Sequence, residues 1–236
     1  MDYFRSIVLL AAIVGVIAGI GMTVVQQLAT VPLILKAEVF EQGEETKAPT
    51  VHAHESQSAA ADAHEHEGWA PQDGFERTAF SLAANVLTGI GFALLLIGVS
   101  ELAGGIVDWR QGVFWGLAAF AVFTLAPGLG LPPELPAMPA AELGPRQLWW
   151  VATAISTAGG IALLVYGRSL LAVVAAAALL AAPHVVGAPQ SLSHESPIPE
   201  TLYHSFVVAV AMTTLMFWTL LGGLTGYFRR RLVSTA

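Results

Sequence analysis

The chain contains no cysteine, so disulfide bonds, thiolate metal sites and iron–sulfur clusters are excluded. Charged residues are also scarce: they make up 11% of the 236 residues, whereas a soluble domain carries about 25%. The net charge of −7 argues against nucleic acid as a partner, because a nucleic-acid-binding protein would be expected to carry a basic patch. Hydrophobic residues reach 55%, and their long uncharged runs favour a polytopic membrane protein over soluble domains.

The sequence also lacks the motifs of several enzyme classes. It has no Gly-x-x-x-x-Gly-Lys-[Ser/Thr] loop to bind ATP and no His-Glu-x-x-His helix to hold a catalytic zinc ion. Its polar stretches are too short to fold as a catalytic domain, and ionisable residues do not cluster near the middle of any apolar run. We therefore expect a protein that is not an enzyme.

Six apolar segments predict an all-α integral membrane protein, with residues 1–236 forming a single transmembrane domain. The first run is uncharged over 24 residues, which is long enough to cross a ~30 Å hydrocarbon core and too long for the apolar core of a signal peptide. Its Gly15-x-x-x-Gly19 motif favours close packing on another helix. The expected helices cover about residues 6–29, 78–100, 112–130, 147–166, 169–187 and 203–227.

A polar loop is expected from residue 36 to residue 77, flexible because Ala, Ser, Glu and His fill its middle without hydrophobic periodicity. It carries two His-x-His pairs, His52/His54 and His64/His66, among many carboxylates. Two imidazoles at this spacing can bind one metal ion, and a neighbouring glutamate can add an oxygen ligand. The alternative is a solvated tract that only keeps the loop soluble. A disordered site would bind weakly, because binding must order it.

The charges predict an orientation. Six spans put both termini on the same side of the membrane, and the positive-inside rule makes that side cytoplasmic. The inner segments then hold six basic and three acidic residues, and the outer segments four basic and fourteen acidic residues. Such an acidic outer surface concentrates cations.

All seven histidines fall on the predicted outer side. His184 ends the fifth expected helix, His204 begins the sixth, and His194 and Glu195 lie in the loop between them. Imidazole and carboxylate ligands without thiols suit Co²⁺, Ni²⁺ and Zn²⁺. His184 and His204 are alternatively interface histidines whose polar tips reach water. The candidate metal ligands are His184, His194, His204, Glu195, His52, His54, His64 and His66.

Two further polar residues have alternative interpretations. Glu101, at the inner end of the second expected helix, is either a metal ligand on the exit side or a solvated carboxylate at a helix end. Asn85 either lines a polar path or bonds a neighbouring helix. We expect Asn85 and Thr88 to face other helices.

Several ordered motifs, spread nearly from end to end, resemble those of the CbtA family, the predicted cobalt transporter subunit. They are Gln26-Gln27, the segment 32–39 (PLILKAEV), Trp69-Ala70-Pro71, the segment 87–92 (LTGIGF), Ala126-Pro127, the segment 131–136 (LPPELP), the segment 146–150 (RQLWW) and the segment 183–189 (PHVVGAP).

The resemblance implies a subunit for cobalt uptake and a small single-span partner, CbtB, that carries its own histidines. Together with the residue patterns, it predicts a divalent-metal importer of the bacterial inner membrane, multi-pass, with both termini cytoplasmic. Co²⁺ is the expected cargo, no cofactor is tightly bound, and the partners are metal ions, the lipid bilayer and the CbtB-like subunit. The alternatives are a Ni²⁺ or Zn²⁺ transporter, or a membrane protein that senses metal or assists assembly without transporting it.

Overall fold

A computed structural model describes residues 2–45, 71–72, 74–191, 193 and 196–232. In this part of the chain the regular structure is entirely helical, which confirms the all-α class. The helices are α1 (Asp2–Ala29), α2 (Val31–Glu45), α3 (Phe75–Glu101), α4 (Trp109–Phe120), a π turn (Ala121–Leu125), α5 (Ala126–Gly130), α6 (Leu143–Tyr166), α7 (Leu170–Val186) and α8 (Glu200–Leu232).

Short polar residues and prolines determine where several helices begin and end. The Asp108 carboxylate accepts a hydrogen bond from the backbone amide of Gln111 at 2.8 Å and so caps the start of α4. The Ser169 hydroxyl does the same for α7, accepting from the Ala172 amide at 3.2 Å. The proline-rich segment 131–142 between α5 and α6 is irregular, as its sequence predicts, because proline lacks the N–H that a helix interior needs.

Helix α2 was not expected. The sequence predicts a polar loop from residue 36, but the chain resumes a helix one residue after α1 ends and continues it to Glu45. Pro32 is compatible with this helix because it lies in the first turn, where the backbone N–H has no partner within the helix. The predicted loop boundaries are therefore wrong over residues 36–45 and over residues 75–77, where α3 has already begun, while residues 46–70 and 73 lie outside the described residues.

The π turn interrupts the third apolar segment just before Pro127. A proline inside a helix cannot donate a backbone hydrogen bond, and its ring clashes with the carbonyl four residues earlier. A π turn accommodates this mismatch by widening the helix locally. The widened turn also places Thr124 where its hydroxyl accepts a hydrogen bond from the Trp218 indole of α8 at 3.2 Å.

Two helix pairs pack with their backbones in contact at glycine residues. Gly15 of α1 lies against the backbone of Ile90, and Gly89 of α3 lies against the Gly15 carbonyl. Gly112 of α4 and Gly222 of α8 face each other in the same way. Small residues promote association of helices in lipid because they allow the backbones to approach closely. The helix contact predicted at the Gly15 motif is confirmed.

The main apolar core lies between α1, α3 and α8, which pack together, with α4 against α8. Helix α7 packs on α6, and this antiparallel pair joins the rest mainly through the π turn and α5. A second, smaller core ties α2 and the segment 131–142 to the start of α8; its buried members are Ala37, Leu135, Ile198 and Phe206.

Five described helices are long and apolar enough to cross a membrane, where the sequence predicts six. They cover Tyr3–Ala29, Phe75–Glu101, Trp109–Gly130, Leu143–Tyr166 and Glu200–Leu232. The expected fifth span, residues 169–187, is a helix of 17 residues in α7, or about 25 Å at the usual rise per residue. The six-span count is therefore not confirmed, although α7 follows α6 back along most of its length through contacts from Trp149–Pro183 to Gly160–Ala176.

We predict that Gly112→Ala destabilises the bundle. The added Cβ would overlap the Gly222 carbonyl oxygen, so the α4 and α8 backbones would have to separate. Overpacking of this kind costs about 1–3 kcal/mol, and thermal unfolding in detergent should show a lower Tm. Gly91→Ala is the matched control, because a Cβ at Gly91 in α3 meets nothing within 4 Å. Equal Tm values for the two variants would contradict the close approach.

Candidate functional site

The bundle has two chemically different ends. Tyr3, Glu101 and Arg229 meet at one end, which brings together the start of α1, the end of α3 and the end of α8. We call it the basic end, because its described charged side chains are Arg5, Arg110, Arg168, Arg229, Arg230, Arg231, Glu101 and Asp108. The opposite end holds α2, the segment 131–142 and the start of α8. We call it the acidic end, and its described charged side chains are Glu38, Glu41, Glu76, Glu134, Glu142, Glu200, Lys36, Arg77 and Arg146.

Two of the eight predicted metal ligands, His184 and His204, belong to the described residues, and both lie at the acidic end. Both side chains are exposed. The other six predicted ligands lie outside the described residues, and their roles remain predictions: His52, His54, His64, His66, His194 and Glu195.

His184 lies in the last turn of α7, next to the aromatic ring of Trp149. The two ring centroids are 6.1 Å apart in an edge-to-face arrangement. The Trp149 indole N–H donates a hydrogen bond to the Pro183 carbonyl at 3.2 Å, so α6 fixes the end of α7. The backbone before the imidazole is therefore tied to α6, while the imidazole itself is exposed.

His204 lies in the second turn of α8, beside residues that anchor that helix. Tyr203 and Phe206 pack in the smaller core with Ala37 of α2 and Leu135. The start of α8 is thus fixed in the same manner as the end of α7, with a rigid backbone and an exposed imidazole.

The two imidazoles are carried by different parts of the fold. His184 belongs to the α6–α7 pair, and His204 belongs to α8, which packs on α1 and α4. No group of three or more His, Asp or Glu side chains suited to hold a metal ion occurs among the residues that the structure describes. The described part of the acidic end therefore offers separate exposed ligands instead of one enclosed metal site.

Two ion pairs neutralise part of the negative charge at the acidic end. The Arg77 guanidinium donates to the Glu38 carboxylate at 2.5 Å and joins α3 to α2. The Arg146 guanidinium lies 3.0 Å from the Glu134 carboxylate and joins α6 to the segment 131–142. Each of these side chains is about a quarter to a third exposed, so the carboxylates remain in reach of water and ions.

A polar network links α1 to α3 below the acidic end. The Asn85 amide donates to the Gln26 side-chain oxygen at 2.6 Å and to the Thr23 hydroxyl at 3.0 Å. Closer to the surface, the Gln27 amide donates to the Thr78 hydroxyl at 3.1 Å. Of the two interpretations left open for Asn85, the structure supports a bond to a neighbouring helix.

The sequence predicted the network only in part. Thr88, which was expected to face other helices, is exposed, so that expectation is wrong. The contributions of Thr23 and Thr78 were missed, although polar side chains at matching depths of two apolar runs are a signal that could have found them.

An apolar core separates this network from the basic end. Beyond Asn85, the Gly15–Gly89 contact closes the interface between α1 and α3. Fully buried residues of α1, α3 and α8 then fill the interior, including Leu10, Ile97 and Leu221. Between Asn85 and Glu101, this interface is therefore filled by closely packed apolar residues.

The family model described as "Probable cobalt transporter subunit (CbtA)" matches residues 4–230. The chain belongs to the CbtA family. No curated protein and no solved structure gives a significant match. The family match runs from the first turn of α1 almost to the end of α8, so it includes nearly all of the described bundle.

Membership in the CbtA family confirms the resemblance seen in the sequence motifs. It assigns the chain to a family described as a probable cobalt transporter subunit, and the five long apolar helices agree with a multi-pass membrane protein. A family of transporter subunits also agrees with the expectation that the chain is not an enzyme.

We predict that Asn85→Leu loosens the contact between α1 and α3. The substitution keeps the branched shape of the side chain but removes both hydrogen bonds to α1, and such interhelical bonds contribute about 0.6–1.7 kcal/mol each. Thermal unfolding in detergent should give a lower Tm. Thr88→Val is the control on the exposed face of the same helix and should leave the Tm unchanged. Unchanged stability in Asn85→Leu would show that the network does not hold the helices together.

Proposed function

We propose that this CbtA-family chain is the membrane subunit of a divalent-metal importer whose principal cargo is Co²⁺. The observation that carries the proposal is the separation of charge between the two ends of the bundle. Carboxylates and exposed imidazoles gather at one end, and arginines at the other. An end rich in carboxylates raises the local concentration of divalent cations, which is the first step of uptake.

The same separation supports an orientation in the bacterial inner membrane. Arginines cluster at the start of α1, the start of α4 and the end of α8, close to the ends of apolar spans. The positive-inside rule assigns such an end to the cytoplasm. In this orientation both termini are cytoplasmic, and the acidic end faces outward.

Metal capture at the acidic end would combine ligands that bind weakly with ligands that bind selectively. In the proposal, His52, His54, His64 and His66 hold ions weakly, which is the affinity that the sequence predicts for a polar tract without hydrophobic periodicity. His184 and His204 carry the selective step together with His194 and Glu195. This division is supported by the fixed backbones of His184 and His204, since a rigid backbone reduces the entropy lost on binding.

A partner subunit would complete the ligand set. The family description names a subunit, which implies an assembly. His184 and His204 lie on separate helix pairs and leave coordination positions open, which supports a small single-span partner with histidines of its own. Inward movement would be driven by the membrane potential, since a doubly charged ion gains about 4.6 kcal/mol across 100 mV.

Metal flux into reconstituted vesicles, with and without the partner, tests transport directly. We expect uptake of Co²⁺, with Ni²⁺ and Zn²⁺ as the comparison ions. Unchanged Co²⁺ and Ni²⁺ contents in both preparations would end the uptake hypothesis. Association with the partner that depends on metal but produces no flux would instead favour a role in sensing or assembly.

We predict that the double substitution His184→Ala and His204→Ala abolishes uptake. Both side chains are exposed, so their loss should leave the Tm nearly unchanged, and the effect can be assigned to metal binding. Val185→Ala with Ser205→Ala is the control, because these neighbours are also exposed and offer no imidazole. Normal uptake by the histidine double variant would contradict the proposed ligands.

We predict a milder effect from deleting residues 51–67. Loss of the two His-x-His pairs should raise the half-saturating metal concentration and leave the maximal rate near its original value, because this segment concentrates ions without carrying the selective step. Uptake measured from low to high external Co²⁺ separates these two parameters. A length-preserving variant with His52, His54, His64 and His66 replaced by Ala controls for the shortened chain. The division of roles would be reversed if the deletion abolished uptake and the His184/His204 variant were silent.

A further inference from the structure

Glu101 is the centre of a three-helix contact at the basic end. One of its carboxylate oxygens accepts a hydrogen bond from the Arg229 guanidinium at 2.7 Å, and the other accepts from the Tyr3 hydroxyl at 2.7 Å. These bonds connect the end of α3 to the end of α8 and the start of α1. Of the two interpretations left open by the sequence, a merely solvated carboxylate does not describe this arrangement.

The backbone between α3 and α4 holds the Arg229 guanidinium in place. The second amino group of the guanidinium donates a hydrogen bond to the Ile106 carbonyl at 2.8 Å. The flat face of the guanidinium lies against Gly105, whose φ of +77° and lack of Cβ leave room for it. The side chain is 15% exposed. Arg229 is therefore a largely buried cation that is held against Glu101 from several sides.

This contact lies over the apolar core at its basic end. Ser100, the residue before Glu101, is fully buried, and its backbone carbonyl accepts from the Gly105 amide at 2.8 Å. Ile7 of α1 and Phe228 of α8 pack on the core just beneath the charged residues. Separation of Glu101 from Arg229 would expose this layer of the core to water.

Among the described residues of this end, Glu101 is a carboxylate that a cation can reach. The Asp108 carboxylate caps α4 by accepting a hydrogen bond from the backbone amide of Gln111. Glu101 keeps 28% of its side chain exposed, even with both partners bound. The Arg229 guanidinium thus occupies the place at this carboxylate that another cation would take.

We propose that Glu101, Arg229 and Tyr3 form a latch that closes the basic end of the bundle, and that a divalent cation opens it by replacing Arg229 at the Glu101 carboxylate. In this exchange Glu101 stays ionised with the divalent cation as its new partner, the Arg229 guanidinium loses its counter-charge, and the end of α8 is released from α3. This inference rests on the proposed function, because it makes Glu101 the last protein ligand of the transported ion.

A single introduced thiol can report the state of the latch, because the chain has no native cysteine. Ser100→Cys places that thiol at a fully buried position beside Glu101. The protein in lipid nanodiscs is treated with a water-soluble maleimide, and the labelling rate is followed by mass. Leu102→Cys serves as the reference for reagent and lipid effects, because this position is already 89% exposed with the latch closed.

Removing the charge of Glu101 should open the latch. With Glu101→Gln, we expect Ser100→Cys to be labelled about tenfold faster, because Arg229 would lose its buried counter-charge. Tyr3→Phe, which keeps the ion pair, should give a smaller increase. Glu142→Gln is the matched control, since it neutralises an exposed carboxylate at the acidic end and should change nothing. If Glu101→Gln does not fold, Arg229→Gln gives the same test, because it removes the other charge of the ion pair.

Added Co²⁺ should accelerate labelling of Ser100→Cys when Glu101 is present and have no such effect with Glu101→Gln or on Leu102→Cys. Unchanged labelling in Glu101→Gln, or in Arg229→Gln where Glu101→Gln does not fold, would overturn the latch, and no response to Co²⁺ with Glu101 present would overturn the cation exchange. Metal uptake by each variant is measured in a separate flux assay. Absence of flux in every variant would overturn the proposed function, whereas the labelling rates would still decide whether the latch exists.

Discussion

The close backbone contact between helices at glycine residues is the constraint on which the structure depends. In lipid, burying apolar side chains gives little drive for association, because the hydrocarbon is as apolar as the protein. Helices therefore associate through close packing, which Gly15 and Gly89 allow between α1 and α3, and Gly112 and Gly222 between α4 and α8. Since α8 also packs on α1, these two contacts organise four of the long helices around one core.

The distribution of charge follows from the same environment. Charged side chains are costly inside the hydrocarbon, so they gather where the helices end. In this chain the two ends receive opposite balances, with carboxylates and exposed histidines at one and arginines at the other. The charge separation thus serves two purposes in the proposed importer: it fixes the orientation of the helices and supplies a surface that attracts cations.

Between the ends, the interface of α1 and α3 has three successive parts. Hydrogen bonds of Asn85 tie the helices together near the acidic end, apolar residues fill the middle, and Glu101 with Arg229 lies over the basic end. An ion that followed this interface would have to separate the apolar residues and break the ion pair. The described conformation is closed at both of these places, so transport along it would require movement of α8 relative to α1 and α3.

Hydropathy alone determined that the chain is a bundle of apolar helices, because the cost of placing polar groups in hydrocarbon is a local property of each segment. It also placed His184 and His204 near helix ends at the same side of the bundle, and the family motifs identified the CbtA family correctly. Hydropathy failed at α2, where Lys36, Glu38 and Glu41 resemble a loop although the helix packs on α8 through its apolar residues. Hydropathy also predicted α7 as a sixth span, because the length of an apolar run does not show how many of its residues form the helix.

Only the tertiary structure decided which polar residues meet. Arg229 pairs with Glu101 although 128 positions separate them in the sequence, and Asn85 bonds to Gln26 although 59 positions separate them. Such pairings depend on which helices pack together and at what depth, and the sequence of one helix does not contain that information. The sequence by itself therefore determined the membrane character, the family and the exposed histidines, and the packing of helices decided the polar network and the ion pair at the basic end.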